Sequence, residues 1–399
     1  TPEVVISGAT RGIPASMIDQ AVRVAMLLPL SGARGGVGQS MLDAAMLALN
    51  DVADGKFVLL PLDTRGSDRG AALAAQGAVD NKAEILLGPL FSTSVSAAAP
   101  VIRRAGLNMI AFSNNRIVAE PGVFLAGLLP ETQIDRVIGY AAKRGIRRVG
   151  ALIPSGAFGE RVLAAARENA ARLALNIVKV EYFSDDATLT ADAVRRISDF
   201  DLRRRELQEQ IKALEGATDG VSKQTLEKLQ KLETFGPVPF DALIVGASGQ
   251  KLTEVAAQLG NFDVDTKQVR LLGLASWGAP GTGREPALVG AWYADSPAAA
   301  NEDFIRNYKA MYEREPHSLA IDAYDITALA AILGSRAPEA RFSAGTLTSP
   351  NGFAGSGGLF RLLPSGLPER ALEVREVTLD GSRVIEPAPA AFPAPPTVN

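Results

Sequence analysis

"RVAMLLPLSGARGGVGQSMLDAAMLALND", residues 23–51, passes from an apolar run through a glycine-rich segment into a second apolar pattern. Arg23 to Leu30 reads as a buried strand, and from Ser40 onward Leu42, Ala45, Met46 and Leu49 recur at helical spacing on one face. The segment between them holds glycines at 32, 35, 36 and 38. That spacing matches neither G-x-G-x-x-G nor the Walker pattern, and no lysine precedes Ser40, so a nucleotide cradle is not expected. Glycine does let backbone approach a ligand closely at the carboxyl end of a strand, which makes Gly35 and Gly36 candidate ligand contacts. A turn that touches no ligand fits this loop equally well.

The alternation continues along the chain. "KFVLLPLD" precedes a helical run near Arg69 to Asp80, "EILLGPL" one from Ser92 to Arg104, and "LNMIAFS" a loop at Asn114. Strands alternating with helices of this length predict right-handed βαβ units and a parallel sheet covered on both faces. After "GVFLAGLLP" the pattern restarts, with helices near Ile134 to Arg144 and Glu160 to Leu173 and strands "RRVGALIP" and "NIVKVEYF". It resumes with "FDALIVGAS", a helix through Val255 and Leu259, and "QVRLLGLAS". The expected fold class is α/β, with two doubly wound parallel-sheet lobes. Helical runs at Asn301 to Glu313 and Leu319 to Leu333 have no strand series of their own and are assigned to the first lobe.

Between "NIVKVEYF" and "FDALIVGAS" lies an interruption, residues 201–235. Leu207, Ile211 and Leu214 share one helical face, and Leu226, Leu229 and Leu232 another, with "GATDG" between them. This predicts an antiparallel helical hairpin inserted in the second lobe, either a protrusion folded on its own lobe or a docking arm for a partner. The run Arg203 to Arg205 reads as a solvated face, since no aromatic residues interleave it. The ending "EPAPAAFPAPPTVN", residues 386–399, reads as an extended, poorly ordered proline- and alanine-rich tail.

Composition removes several classes of function. The 399 residues carry 41 lysines and arginines against 44 acids, so no global field recruits nucleic acid or anionic lipid. With no cysteine, disulfides, thiolate nucleophiles and Cys-ligated zinc are excluded. The single histidine, His317, follows a proline at a helix start and is expected to cap or face solvent. No G-x-S-x-G elbow occurs; "GLASWG" and "GASG" have the wrong spacing. Asp322 and Asp325 share a helix face without further ligands and read as structural. The expectation is therefore a chain that is not an enzyme, with no cofactor and no metal. No stretch approaches the roughly 20 apolar residues of a membrane-spanning helix, and "TPEVVISG" has no signal-like region. The chain is either cytoplasmic or had a signal removed before Thr1.

Small polar residues collect where strands end. Ser92, Thr93 and Ser94 open a helix, where hydroxyls and free N–H groups suit a carboxylate or another anion; ordinary capping would need only one of them. Ser113, Asn114 and Asn115 follow the next strand, and Asn is also a routine turn residue. In the second lobe Ser155 to Phe158, Ser248, Ser276 and Trp277 follow strands. The expected ligand-binding set is Gly35, Gly36, Ser92, Thr93, Ser94, Ser113, Asn114, Asn115, Phe158, Ser248, Ser276 and Trp277.

"VRVAMLLPLSG", "GGVGQSMLDAAMLALND", "ILLGPLFSTSVSAAAPVIRRAGLNMIAFSNN", "GALIPSGAFGERV" and "HSLAIDAYDITALAAIL" together resemble the periplasmic binding proteins of the leucine/isoleucine/valine-binding type, over about Val22 to Asp380. The resemblance implies two lobes joined by three chain crossings, near Pro130, Asp295 and Pro368, closing on a ligand by hinge bending. The first lobe is then 22–130 with 295–368 and the second 131–294 with 369–386; the hairpin spans 201–235 and the tail 387–399. The loops at Ser92 to Ser94 and Ser113 to Asn115 would hold a ligand carboxylate, and those at Phe158, Ser248 and Ser276 to Trp277 would close over it. Amino-acid-binding members usually carry an acid in the loop matching "ASWGAP"; here Ser276, Trp277 and Gly278 stand there. An unpaired ammonium in a closed cleft would cost several kcal/mol, so a branched-chain amino acid fits only if Glu160 or Glu285 reaches in. The implied function is extracytoplasmic, periplasmic solute binding for ABC-type uptake, with a transporter permease as partner and a signal or lipoprotein segment removed ahead of Thr1.

A narrower likeness also stands. "AGTLTSPNGFAGSGGLFRLLPSG" and "VREVTLDGSRVIEP" look like the ending of the outer-membrane lipoprotein activators of penicillin-binding proteins. It implies a regulator of peptidoglycan synthesis that acts through protein contacts, with a penicillin-binding protein as partner.

Overall fold

β1 (Val22–Leu28) lies inside a parallel sheet because its residues are apolar on both faces. Val24, Met26 and Leu28 pack with Met41, Leu42 and Ala45 of α1 (Gly35–Val52) on one side. Ala25 and Leu27 pack on the other with Ala74, Ala75 and Ala78 of α2 (Asp68–Asp80) and Val95, Ala98 and Ile102 of α3 (Ser92–Ala105). Each large apolar side chain so buried contributes roughly 1.5–3 kcal/mol. The computed structural model describes residues 21–52 and 57–392, which divide into two units. The first comprises 21–129, 296–371 and 389–392 of the described residues, and the second 130–295 and 372–388.

The first unit's sheet has the order β2-β1-β3-β4-β5, where β2 is Phe57–Asp63, β3 Ile85–Leu87, β4 Asn108–Ala111 and β5 Val123–Leu125. All four pairings are parallel. Two later helices, α10 (Ala298–Tyr312) and α11 (Ala320–Gly334), belong to this unit, and Ile326, Leu329, Ala330 and Leu333 of α11 join the core beside α1. Three short strands not foreseen in the sequence follow: β11 (Phe353–Gly355), β12 (Gly358–Leu362) and β13 (Pro368–Arg370), paired antiparallel. They form because Phe360 and Leu362 alternate inward to the same core.

The second unit repeats the plan. Its sheet runs β15-β14-β10-β9-β8-β6-β7, with β6 Arg148–Pro154, β7 Asn176–Phe183, β8 Ala242–Val245, β9 Arg270–Gly273 and β10 Trp292–Asp295 mutually parallel. β14 (Glu373–Thr378) and β15 (Gly381–Glu386) add an antiparallel pair at one edge. α4 (Pro130–Lys143) and α5 (Ala157–Arg172) pack together, while α6 (Ala187–Ile197) and α9 (Gly249–Asn261) cover a core containing Val194, Ile197, Leu252, Val255 and Leu259. α6 has no counterpart in the sequence reading. Its start is fixed by Asp186, whose side chain accepts from Leu189 N at 3.0 Å.

The interruption forms two helices, α7 (Phe200–Leu214) and α8 (Gly220–Leu229), packed on each other through the buried Leu207 and Leu229. Leu232, expected on an internal face, is 50% exposed because α8 ends before it. Arg203 to Arg205 do not form one solvated face. Arg203 is buried, and its guanidinium donates to the carbonyl of Gly236 at 3.1 Å and to Asp263 Oδ2 at 3.3 Å, so it anchors α7 to its own unit. Only Arg204 and Arg205 are exposed. Phe392 lies under the guanidinium of Arg361, with 4.6 Å from carbon to ring centre. The rest of the tail, 393–399, and the start "TPEVVISG" lie outside the described residues.

Candidate functional site

Both units share one strand order once the antiparallel edge is set aside. β2-β1-β3-β4-β5 and β7-β6-β8-β9-β10 are each wound outward from a reversal, between β1 and β3 in one unit and β6 and β8 in the other. In open α/β sheets ligands bind beyond the carboxyl ends of the strands at such a reversal. The chain leaving β1 enters Gly35 and Gly36, that leaving β3 enters Ser92 to Ser94, that leaving β6 reaches Phe158, and that leaving β8 reaches Ser248. The segments at Ser113 to Asn115 and at Ser276 and Trp277 follow β4 and β9, one strand farther along.

The opening glycines differ from the reading of a loop. α1 starts at Gly35, five residues before Ser40, so Gly35, Gly36 and Gly38 occupy its first turn. Gly38 explains why: a Cβ there would lie 2.1 Å from the carbonyl oxygen of Pro29, so only glycine lets the helix begin against the end of β1. Gly36 is exposed with open space around it, and Gly35 is half-buried.

At the start of α3 the capping position is Phe91, which offers no side-chain acceptor. Ser92, Thr93 and Ser94 therefore occupy the first turn, where helix N–H groups lack intrahelical partners and the helix dipole favours negative charge. Ser92 is half-buried and Thr93 exposed, whereas Ser94 is fully buried and its Oγ has no hydrogen-bond partner. A buried hydroxyl left unpaired costs on the order of 1–3 kcal/mol. The segment after β4 is more committed. Ser113 is buried and its Oγ accepts from Asn115 N at 3.1 Å, Asn115 Oδ1 accepts from Ile117 N at 3.3 Å, and Asn114 is exposed.

In the second unit Phe158 is 40% exposed in the first turn of α5. Ser248 is exposed at the cap of α9 without using its hydroxyl there, and Ser276 is exposed. Trp277 instead faces inward. It is 1% exposed, packs in the core, and its indole N–H donates to the carbonyl of Ala247 at 2.9 Å. Its ring lies where a Cβ on Gly273 would be, 2.2 Å away, so that glycine makes room for it. Of "ASWG", Ser276 and Gly278 are left at the surface.

The two strand-end edges differ in their unpaired charges. Around the first unit's edge stand Arg34 after β1, Arg65 and Arg69 after β2, and Arg116 after β4, all exposed and forming no ion pair among the described residues. Asp63 ends β2, but it accepts from Leu30 N at 2.9 Å, Arg65 N at 2.7 Å and Ser31 Oγ at 2.5 Å. Burial would raise this carboxyl; those hydrogen bonds outweigh it and hold it below its ordinary range. At the second unit's edge the acids are Glu160, Asp185, Asp186 and Asp295. Partial burial, then a hydrogen bond with Glu160, raises Tyr182. Asp295 ends β10 beside Gly278, and its Oδ2 faces Arg375 at 3.6 Å. Glu285 lies elsewhere: it follows Gly283, which abuts Thr378, whereas the edge is marked by Glu373 opposite Asp295 at the other end of β14.

Asp322 and Asp325 hold the first unit together. Arg370 donates to Asp322 Oδ1 at 2.7 Å and to the carbonyl of Ala126, and Asp325 accepts from Ser356 N at 2.6 Å and Gly357 N at 2.8 Å. Burial raises both carboxyls, Asp325 to about 6. His317 lies ahead of α11, whose capping residue is Leu319: its Nδ1 accepts from Leu319 N at 3.2 Å, and partial desolvation holds the imidazole below its ordinary value. Among the described residues no group of three or more His, Cys, Asp or Glu is placed to hold a metal ion, and no helix is long and apolar enough to cross a membrane.

Sequence and structure comparisons agree with this fold. The family described as periplasmic binding protein matches residues 21–354, and the chain belongs to it. An uncharacterised protein of Rickettsia prowazekii (strain Madrid E) is 28% identical over 178 residues, 44% of this chain and 47% of that protein. The chain thus spans about half the length of the curated relative it matches. The fold is that of an ABC-transporter solute-binding protein of R. palustris solved with benzoate, at a TM-score of 0.62, 18% identity, and coverage of 93% of this chain and 98% of that one. It is also that of a branched-chain amino acid transporter substrate-binding protein of Streptococcus pneumoniae solved with isoleucine, at 0.59, 16%, and coverage of 92% and 100%.

Proposed function

From the chain's membership of the periplasmic binding protein family, we propose that it is an extracytoplasmic solute-binding protein that supplies an ABC-type transporter with a small carboxylate-bearing solute. The observation that carries this reading is the buried, unpartnered Ser94 hydroxyl in the first turn of α3, set at the strand reversal of the first unit. A ligand carboxylate received by that turn would accept from Ser94 and from the free helix N–H groups. Gly35 and Gly36 would flank the carboxylate, and in the second unit Phe158, Ser248 and Ser276 are the exposed strand-end residues proposed as solute contacts.

The charges at the second unit's edge bear on whether the solute is an amino acid. Asp295 faces Arg375 and Glu160 is bound by Tyr182, so an ammonium group would have to compete with the chain's own groups. This favours an organic acid over an amino acid, as with the benzoate of the R. palustris protein rather than the isoleucine of the streptococcal one. The test is a melting screen of the purified chain against amino acids, organic acids, amides and muropeptides. A solute present at 100 times its dissociation constant adds about 2.7 kcal/mol of stability. Silence across all four classes contradicts the reading.

A second reading is favoured by the hairpin, where Leu202, Val221, Leu232 and Phe235 are 46, 76, 50 and 37% exposed. Such a concentration of apolar side chains suits a docking arm for a penicillin-binding protein. Removing the whole hairpin would also remove Arg203 and Thr234, which tie it to Asp263, so point substitutions are the cleaner test. If the arm docks, Val221→Asp with Leu232→Asp abolishes capture of an enzyme detected by fluorescent penicillin; equal capture by the variant ends this reading.

A further inference from the structure

We infer that the solute carries at least two anionic groups, and that Arg34, Arg65 and Arg69 recognise the one not held by α3. The inference rests on the solute-binding reading and names the class of solute.

Arg34 follows β1, Arg65 and Arg69 follow β2, and Ser92 to Ser94 follow β3; these are three adjacent strands in the order β2-β1-β3. Neighbouring strands lie about 4.8 Å apart, so the three strand ends span roughly 10 Å, and the segments leaving them carry one anion-receiving helix turn and three arginines. Arg116, after β4, adds a fourth positive charge on the far side of α3. Among the described residues none of the four forms an ion pair or a side-chain hydrogen bond. Elsewhere in this unit arginines are commonly matched: Arg103 with Glu120, Arg341 with Glu84, Arg361 with Glu369, Arg370 with Asp322 and Arg314 with Asp43.

Two acids, Asp63 and Asp68, stand against these four arginines, and among the described residues neither forms an ion pair with one of them. Asp63 spends its oxygens on Leu30, Ser31 and Arg65 backbone or hydroxyl groups, and the Arg65 contact is to its N–H, not its guanidinium. That contact holds Arg65 at φ +53, in the left-handed region that a residue with a Cβ avoids. Asp68 begins α2, where the helix dipole accounts for it. The edge is thus left with a net positive charge and a helix terminus of the same sign. A monocarboxylate would satisfy α3 and leave the arginines unmatched. A second carboxylate or a phosphate within about 10 Å of the first would meet them with charge-assisted, bidentate geometry.

The test is titration calorimetry of the full chain with succinate, adipate and citrate as polyanions, benzoate as monoanion and leucine as zwitterion. At least one polyanion is expected to bind tenfold or more tightly than benzoate. Arg34→Gln and the pair Arg65→Gln with Arg69→Gln should each weaken it about tenfold, with unchanged melting temperatures since these side chains have no partners to lose. Benzoate or leucine binding as tightly as every polyanion, with no response to the arginine substitutions, overturns the inference and leaves the solute-binding reading standing. No binding by any polyanion overturns it too, and silence in the wider melting screen as well removes the solute-binding reading.

Discussion

The two units build one topology from different residues, and the difference lies at their strand ends. In the first unit the chain after β1, β2 and β3 supplies unmatched arginines and a helix turn with a free, buried hydroxyl. In the second the corresponding segments supply exposed serines, a phenylalanine and acids, with Trp277 withdrawn into the core. A repeated scaffold fixes where ligand-facing loops stand, while the loops decide what each half can hold. The first unit's strand ends carry cationic side chains that are unpaired among the described residues, and the second unit's carry acids and small polar groups.

The largest effect expected from that comparison concerns Trp277. Trp277→Ala should cost about 3–5 kcal/mol in denaturant unfolding, through the lost ring and the orphaned Ala247 carbonyl, while Ser276→Ala changes stability little and acts on binding. A mild effect of Trp277→Ala on stability with a large loss of affinity would return the ring to the ligand.

Next is a pH dependence confined to the first unit. Asp325, raised to about 6 by burial, faces Asp322, Arg370 and Tyr324. Because its folded value lies above the unfolded one, the folded chain binds the extra proton, and stability present below about pH 4 is lost as pH rises through about 6. The loss is on the order of 3 kcal/mol, and Asp325→Asn should flatten it, as urea melts at successive pH values would record. Equal slopes for both proteins would contradict it.

Ser94→Ala is a smaller and opposite test. Removing an unpaired buried hydroxyl should leave the unliganded chain equally stable or up to about 1 kcal/mol more stable, yet weaken a carboxylate ligand up to about tenfold. Smallest of all is Glu285→Gln, expected to change affinity by less than twofold in calorimetry, since that side chain stands at the opposite end of its sheet.

Much of the scaffold was legible because buried parallel strands are continuous apolar runs and their helices carry a 3.6-residue stripe. α6 escaped because "ATLTADAVRRI" mixes threonines and charges with few large apolar residues, although Asp186 was a readable cap. The start of α1 was placed late because glycine disfavours helix, and packing of Gly38 on Pro29 overrides that preference. At the site, serines after strands could be read from pattern, but whether a side chain turns outward could not: Trp277 and Ser276 are neighbours with opposite fates. Arg203 shows the same limit, since an arginine run says nothing of which guanidinium finds a buried carbonyl. The arginines after β1 and β2 became informative only once their lack of partners was known.

Hydrogen exchange with and without the solute that gives the largest melting shift tests the central claim most directly. Slowed exchange in residues 31–38, 88–95 and 112–116 together with 155–160, 246–250 and 275–278 is the expected result. Protection confined to 200–235, or to the amino ends of the strands, would contradict it.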